Sequence, residues 1–155
     1  MTNFIDELDQ IISDFMRRWG YAAIRVSFAI IFVWFGILKP FGLSAAIPLV
    51  ERTVSWMPLF STHQWVAIIG WWEVLIGVLF LFKSTTRLAI GLLFMQMFGT
   101  FLPLFILPDI TFQNGIFWLP TLEGQYIIKN LMILSGAMVI GGTVRKIDAS
   151  IISQN

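Results

Sequence analysis

The sequence predicts an all-α integral membrane protein, a four-helix bundle with an N-terminal amphipathic interfacial helix. Three observations predict this fold class. Of the 155 residues, 57% are hydrophobic and only 12% are charged. The mean hydropathy is +0.82, so the chain carries more apolar surface than one small soluble core can bury. Four apolar stretches also approach the roughly 20 residues that a helix needs to cross a bilayer.

The N-terminal segment, residues 1–19, has the pattern of an amphipathic helix. Its apolar side chains recur at helical spacing between charged ones. The apolar set is Phe4, Ile5, Leu8, Ile11, Ile12, Phe15, Met16 and Trp19. Such a helix is expected to lie at the membrane surface. Because its polar face is rich in acidic residues, it should bind anionic lipid poorly, and packing on a partner or on the chain itself is the alternative.

The four predicted membrane spans are apolar stretches with few charged side chains. They cover approximately residues 21–38, 65–82, 88–107 and 126–141. The link 83–87 is so short that the second and third spans should form a tight helical hairpin. The other two links, 40–64 and 108–125, are long and apolar, so we expect them to lie in the interface as lids over the bundle.

Basic side chains are expected to mark the cytoplasmic side of the bundle, since Lys and Arg concentrate in cytoplasmic links. Six of them flank one side of the predicted spans: Arg17, Arg18, Lys83, Arg87, Arg145 and Lys146. Only Lys39 and Arg52 lie at or near the other side. The sequence therefore predicts that both termini are cytoplasmic.

Three charged residues lie within the predicted spans: Arg25, Glu73 and Lys129. A charge at membrane depth costs about 2.5 to 3.5 kcal/mol on insertion scales, so these side chains should face the bundle interior. At about 1.5 Å of rise per residue, Lys129 lies at a depth similar to that of Glu73 or slightly shallower, so the two can meet. Arg25 lies deeper toward the cytoplasm, where a water or Gln96 would complete a contact with Glu73.

Further polar and small residues accompany these charges. Helical spacing places Arg25, Phe28, Phe32, Phe35 and Lys39 on one face of the first span, which is expected to point inward. Glycines on both sides of Glu73, at positions 70 and 77, favour close approach of a neighbouring helix. The full candidate set for a buried polar network or a ligand site is Arg25, Lys39, Glu73, Gln96, Lys129 and Asn130.

Two interpretations of this polar set remain open from the sequence. In the first, Glu73, Lys129 and Arg25 form an ion-pair network that only fixes helix register. In the second, they line an outward-opening pocket in which Glu73 accepts a proton or repels anions, while the two cations donate hydrogen bonds to a ligand oxygen. The numerous Phe side chains would suit an aromatic-lined cavity for a quinone ring.

Composition also excludes several functions. The net charge of +1 and the dispersed basic residues argue against nucleic acid as a partner. Cysteine is absent and there is one histidine, which removes thiolate nucleophiles, iron–sulfur clusters and bis-histidine haem. The sequence predicts no metal site, no intrinsic cofactor and no catalytic residues, so intrinsic enzyme activity is not expected.

Five stretches of the chain together resemble the DoxX-like superfamily. They read IRVSFAIIFVWFGILKPFG, AAIPLVERTVSW, GWWEVLIGVLFL, TRLAIGLLF and EGQYIIKNLMILSGAMVI. The resemblance covers approximately residues 25–145. It is most specific from Arg25 through Lys39, at Glu73 with its glycines, and at Lys129. The closest branch is that of the reactive-chlorine-resistance inner-membrane proteins, although the first outer link and the link before the fourth span are shorter here.

This resemblance implies a multi-pass protein of the inner membrane that is associated with oxidative stress. It further implies binding of a quinone-like molecule, or docking of a redox enzyme to a non-catalytic membrane subunit. The sequence leaves two other functions open. The facing charges would suit a small transporter for a proton, anion or solute, for which a homo-oligomer is expected. A purely structural membrane anchor is the third.

Overall fold

The computed structural model describes the backbone of residues 2–152 and the side chains of residues 4–144. In this part of the chain all regular structure is helical, apart from an isolated bridge between Phe112 and Pro120. The α-helices in chain order are α1 (Thr2–Leu38), α2 (Ile47–Val54), α3 (Thr62–Leu81), α4 (Thr86–Phe101), α5 (Pro103–Ile106), α6 (Pro108–Thr111), α7 (Leu122–Lys129) and α8 (Leu131–Ile152). The all-α fold class is confirmed.

Four helical segments are long and apolar enough to cross a membrane. They are Phe4–Leu38, Thr62–Leu81, Lys83–Ile106 and Leu122–Val144. These segments contain the four predicted spans almost completely, so the chain is a multi-pass membrane protein. We call the end of the bundle that carries Arg17, Arg18, Lys83 and Arg87 the basic end, and the other end the loop end. Arg145 and Lys146, also predicted for the basic end, have side chains outside the described residues.

Helix α1 joins two elements that the sequence predicts as separate. The amphipathic segment and the first span form one continuous helix of 37 residues, with no break at Gly20. At about 1.5 Å per residue this helix is about 55 Å long, nearly twice the roughly 30 Å of bilayer hydrocarbon. The predicted boundary near residue 20 is therefore a change in charge along one helix and not a change of chain direction.

The tight hairpin between α3 and α4 is confirmed. Helix α3 begins with a capping box, in which the Ser61 hydroxyl accepts from the Gln64 backbone N–H and the Gln64 side chain accepts from the Ser61 N–H. It ends at Leu81, and the Thr85 hydroxyl donates to the Leu79 carbonyl at 2.6 Å. The same carbonyl accepts from the Phe82 backbone N–H at 3.3 Å, so two donors close the end of the helix. Lys83–Thr85 forms a single 3₁₀ turn before α4.

The third and fourth spans are each interrupted near the loop end. Helix α4 ends at Phe101, and α5 begins at Pro103, whose ring nitrogen cannot donate to the preceding turn. The fourth span breaks at Asn130, which separates α7 from α8. Helix α7 begins at Leu122, earlier than the sequence predicts, because the Thr121 hydroxyl caps it by accepting from the Gly124 N–H.

The four spans pack as a ring in which each touches two neighbours. Helix α3 packs against α1 and α4, and α8 packs against the same two helices from the other side. Helices α3 and α8 therefore occupy opposite corners of the bundle. The core between the spans is apolar, and its centre holds an edge-to-face pair of Phe28 and Phe80, with ring centroids 5.3 Å apart.

The closest helix contact in the bundle is that between α1 and α3. A Cβ atom on Gly36 would lie 2.8 Å from the Gly70 carbonyl oxygen, and one on Gly70 would lie 2.7 Å from the Gly36 carbonyl oxygen. Further along, a Cβ on Gly77 would lie 2.8 Å from the Val33 nitrogen and 2.9 Å from the Ala29 oxygen. The backbones touch directly, so the close approach predicted at Gly70 and Gly77 is confirmed.

The two long links fold over the loop end of the bundle. Helix α2 rests on α3 and α5, and its Thr53 and Val54 are buried. In the second link, Thr111 and Phe112 are buried, and the Thr121 hydroxyl donates to the Ile110 carbonyl at 2.6 Å. Both links pack on protein, as expected for the predicted lids.

The α1–α3 contact predicts the effect of adding one methyl group. Gly77→Ala should lower the free energy of unfolding by about 1 to 3 kcal/mol, because the new methyl group would overlap two backbone atoms of α1. Equilibrium unfolding in mixed detergent micelles measures this change. The matched control is Gly91→Ala on α4, where no heavy atom lies within 4 Å of the added Cβ. Equal stabilities of the two variants would contradict the contact.

Candidate functional site

A cluster of three polar side chains lies between the spans, formed by Lys39, Glu73 and Gln96. The Lys39 ammonium donates to one carboxylate oxygen of Glu73. The Gln96 amide donates to the other carboxylate oxygen at 3.1 Å. The Lys39 side chain is 7% exposed and that of Glu73 is 15% exposed. The carboxylate therefore has a separate donor on each oxygen in surroundings that exclude most solvent.

The glycine contact positions the two charges of this cluster. Gly36 precedes Lys39 by three residues, as Gly70 precedes Glu73, so on each helix the glycine and the charge share a face. A Cβ on Gly70 would lie 2.8 Å from the Cβ of Lys39. One on Gly36 would lie 2.9 Å from the Cβ of Glu73. Each glycine thus makes room for the charged residue that follows the other glycine. The Lys39–Glu73 ion pair therefore forms next to the contact between Gly36 and Gly70.

Helix ends also contribute to the geometry. Lys39 follows the last residue of α1, where its backbone N–H donates to the Gly36 carbonyl at 3.2 Å. Pro40 stops the helix there, because its ring cannot continue the hydrogen-bond ladder. The lysine stem therefore leaves α1 toward α3 at the depth of Glu73. Gln96 reaches the same carboxylate from the middle of α4.

The cluster retains hydrogen-bonding capacity beyond its internal contacts. A lysine ammonium has three N–H donors, and the described bonds use one of them. The Gln96 amide has a carbonyl oxygen in addition to the donor that it offers to Glu73. Gln96 and Glu73 are only partly buried. The described bonds therefore leave cationic donors on Lys39 and an amide acceptor on Gln96 unused.

The predicted meeting of Glu73 and Lys129 is wrong. Lys129 is exposed, and its ammonium lies over the ring of Tyr126, 5.2 Å from the centroid. The physical reason is the arrangement of the bundle, since α3 and the fourth span stand at opposite corners. Equal depth in the membrane does not bring two residues together when another helix pair separates them. Lys39 occupies the place that the sequence assigned to Lys129.

Arg25 also lies away from the cluster, contrary to the predicted partial contact with Glu73. Its Nε and Nη2 atoms donate to the Phe80 carbonyl at 3.1 and 2.8 Å, and its guanidinium lies over the Tyr21 ring. Phe80 is in the last turn of α3, where carbonyls lack helical donors and the helix dipole is negative. Arg25 therefore caps α3 near the basic end, and its role is structural.

The inward face of α1 differs from the predicted one at a single position. Phe28 and Phe32 are buried as expected, but Phe35 is 56% exposed. Gly36 takes the inward position instead, because only a residue without a side chain fits against Gly70. Sequence reasoning missed Gly36 as a determinant of the site. The signal was present in the repeated spacing of a glycine three residues before a charge, at Gly36 with Lys39 and at Gly70 with Glu73.

Asn130 is the remaining member of the predicted set. Its side-chain amide donates to the Tyr126 carbonyl at 3.2 Å, within its own span. This bond satisfies a carbonyl at the break between α7 and α8. Of the six predicted site residues, the described contacts bring together Lys39, Glu73 and Gln96. Arg25, Lys129 and Asn130 each contact other groups.

A second, open depression lies at the loop end. It has a volume of about 540 Å³ and is lined by Pro48, Glu51, Arg52, Ser55, Leu107 and Ile110. Its charged groups come from the exposed face of α2. No described hydrogen bond connects it to the Lys39–Glu73–Gln96 cluster, which remains the better candidate site.

No protein-family model, curated protein or solved structure matches this chain. The resemblance to the DoxX-like superfamily therefore stays a prediction from the quoted stretches. The helix bundle and its polar cluster follow from the geometry of this chain and do not depend on that resemblance.

The ion pair predicts an asymmetric response to mutation. Lys39→Met should lower the free energy of unfolding by about 3 to 5 kcal/mol, because it leaves the Glu73 carboxylate buried without its cation. Adding Glu73→Leu should restore most of the loss, since an apolar pair of similar volume carries no unpaired charge. Denaturant titration in micelles gives both values. Lys129→Met, the same change at an exposed lysine, should have little effect, and a loss equal to that of Lys39→Met would refute the assignment.

Proposed function

We propose that this protein is a membrane subunit that binds a quinone-like lipophilic molecule at the Lys39–Glu73–Gln96 cluster and supports a redox partner under oxidative stress. The observation that carries the proposal is the cluster itself, a cationic donor held beside a carboxylate and an amide within an apolar bundle. The resemblance to the DoxX-like superfamily supports the same function and a location in the inner membrane.

The hydrogen-bonding groups of the cluster match both the oxidised and the reduced form of a quinone. A quinone carbonyl oxygen accepts hydrogen bonds, and Lys39 has donors beyond the one that binds Glu73. A hydroquinone hydroxyl donates, and the Glu73 carboxylate and the Gln96 carbonyl oxygen accept. One site can therefore hold either form by exchanging hydrogen bonds within the same three residues.

The position of the cluster suits a ligand that dissolves in lipid. Glu73 is eleven residues into α3, about 16 Å from its loop-end start at Thr62. Large apolar side chains on the same stretch of α4, Phe94, Met95 and Phe98, are exposed toward the surroundings of the bundle. A lipophilic molecule therefore reaches this depth by diffusion within the bilayer and needs no aqueous entrance.

The structural-anchor function is the second candidate, and one observation favours it. Both carboxylate oxygens of Glu73 already have donors from the chain, directly over the α1–α3 glycine contact. A cluster of this kind can select one helix register without binding anything. The two candidates differ in their prediction for quinone binding. If the cluster is a quinone site, a folded variant without it binds quinone more weakly than the unchanged protein. If the cluster is only structural, the unchanged protein binds no quinone there.

Quinone binding is tested with the full chain in lipid nanodiscs and ubiquinone-1 as the probe. We expect saturable quenching of tryptophan fluorescence, because Trp72 and Trp71 precede Glu73 directly. Lys39→Met combined with Glu73→Leu, expected to remain folded, should weaken binding roughly tenfold or more, since a hydrogen bond to a charged donor is worth about 1.5 to 3 kcal/mol. Lys129→Met is the control and should bind as the unchanged protein does.

Three outcomes would count against the proposed function. Quenching that rises linearly with ubiquinone-1 and never saturates would indicate partition into lipid only. Saturable binding with the same affinity in the double variant would place the quinone site elsewhere. A folded double variant together with absent binding in the unchanged protein would leave the structural anchor as the function of the cluster.

A further inference from the structure

The first half of α1 carries an apolar stripe that the rest of the described chain leaves uncovered. The stripe consists of Ile5, Leu8, Ile12, Phe15 and Trp19, whose exposed fractions range from 44% to 64%. Their spacing alternates between three and four residues over the whole segment. This is the heptad spacing that places apolar side chains along one seam between two parallel helices. We call these five residues the α1 seam.

We propose that the α1 seam is an interaction surface for a second copy of this chain, so that two α1 helices pair in parallel beyond the basic end. This inference goes beyond the proposed function and does not depend on the quinone site. It rests on the continuity of α1, the heptad spacing of the seam, and the distribution of charge around the helix.

The continuity of α1 directs the seam away from the membrane plane. Since no break separates the seam from the first span, the segment continues along the axis of the span. At about 1.5 Å per residue, the fifteen residues from Ile5 to Trp19 extend for about 22 Å beyond the start of the span. A helix that lay in the interface would need a sharp bend near Gly20, and α1 has none.

Charge also favours a second copy over a lipid surface. Between Phe4 and Trp19 the segment contains four carboxylates and two guanidinium groups, a balance of minus two. Helices that lie on membranes are typically rich in Lys and Arg, which attract anionic lipid headgroups. The carboxylates of this segment are Asp6, Glu7, Asp9 and Asp14. At 100° per residue, Asp6, Glu7 and Asp14 lie on the side of the helix away from the seam, whereas Asp9 lies at its flank, about 80° from its centre. In a parallel pair in register, Asp9 of one copy faces the apolar flank at Phe4 of the other, so two seams can meet without opposing like charges.

Helix α8 contacts a different face of α1. The groove between these helices is lined on the α1 side by Met16, Arg17, Gly20, Tyr21 and Ile24. On an α-helix this face is centred roughly a third of a turn or more from the α1 seam. The described part of α8, up to Val144, therefore does not compete for the seam.

In a membrane protein, a seam of about two heptads is sufficient for two α1 helices to associate. The basic residues at one end give every copy the same orientation in the bilayer, so two α1 helices can meet only in parallel and in register. Helix nucleation costs nothing further, because the seam continues a span that is already helical. Confinement to one plane also raises the effective concentration of the two copies. About two heptads can then associate although they would be marginal as a free peptide.

Single-cysteine cross-linking tests the pairing directly, because the chain contains no cysteine of its own. Full-length Leu8→Cys and Ile12→Cys variants in cell membranes are oxidised with copper phenanthroline, and disulfide-linked dimer is measured on a non-reducing gel. A disulfide needs Cα atoms within about 7 Å, which seam positions reach in a parallel pair. Gln10→Cys is the matched control, since it lies between the two test positions but faces outward.

We expect the two seam variants to form dimer roughly ten times faster than Gln10→Cys. Adding Leu8→Asp to Ile12→Cys should lower its rate to that of the control, because an aspartate would be buried in the seam. The seam packs against no other part of the described bundle, so these variants should insert normally.

Three results would overturn the proposal. Equal dimer at all three positions would mean random collision in the membrane. Monomer at the seam positions, with the cysteines protected from a membrane-impermeant maleimide, would show that lipid covers the seam. Monomer with fully reactive cysteines would show that nothing covers it.

Discussion

The contact between α1 and α3 determines the rest of this structure. Two glycines, Gly36 and Gly70, bring the backbones so close that a single added carbon would overlap the opposite helix. The same contact carries Lys39 and Glu73 into an ion pair at a depth where each charge alone would be costly. The core below it, centred on Phe28 and Phe80, and the lid helix above it are then placed by the geometry of these two spans.

The two cations that are buried in the described part of the chain serve different purposes, although one lies within α1 and the other directly follows it. Arg25 binds a backbone carbonyl at the end of α3, where its planar donors and fixed charge suit a helix cap. Lys39 binds a carboxylate and keeps two further donors on a flexible stem. Both cations keep N–H donors beyond these bonds; they differ in the acceptor, which is a helix-end backbone carbonyl for Arg25 and a side-chain carboxylate, itself able to bind a ligand, for Lys39. This difference separates a structural cation from a candidate binding residue.

Much of the fold could be predicted from the sequence, because length, hydropathy and charge act within single spans. The four spans, the hairpin and the lids follow from such local patterns. The pairing of charges could not, since Glu73 and Lys129 have matching depths but stand on opposite corners of the bundle. Depth is a property of one helix, while adjacency depends on the order of helices around the ring. The glycine spacing shared by Gly36 and Gly70 was the available sign of which two helices touch.

The unbroken course of α1 has a mechanical consequence. The helix runs from its exposed first half to Leu38, and Lys39 is the next residue. A stiff rod transmits axial rotation and translation from one tip to the other. Slippage by one residue would move the Lys39 ammonium about 1.5 Å and turn it by about 100° relative to Glu73. A partner that holds the first half of α1 in place therefore also sets the alignment of the two charges, which lie about 30 Å away along the helix and deep within the bundle.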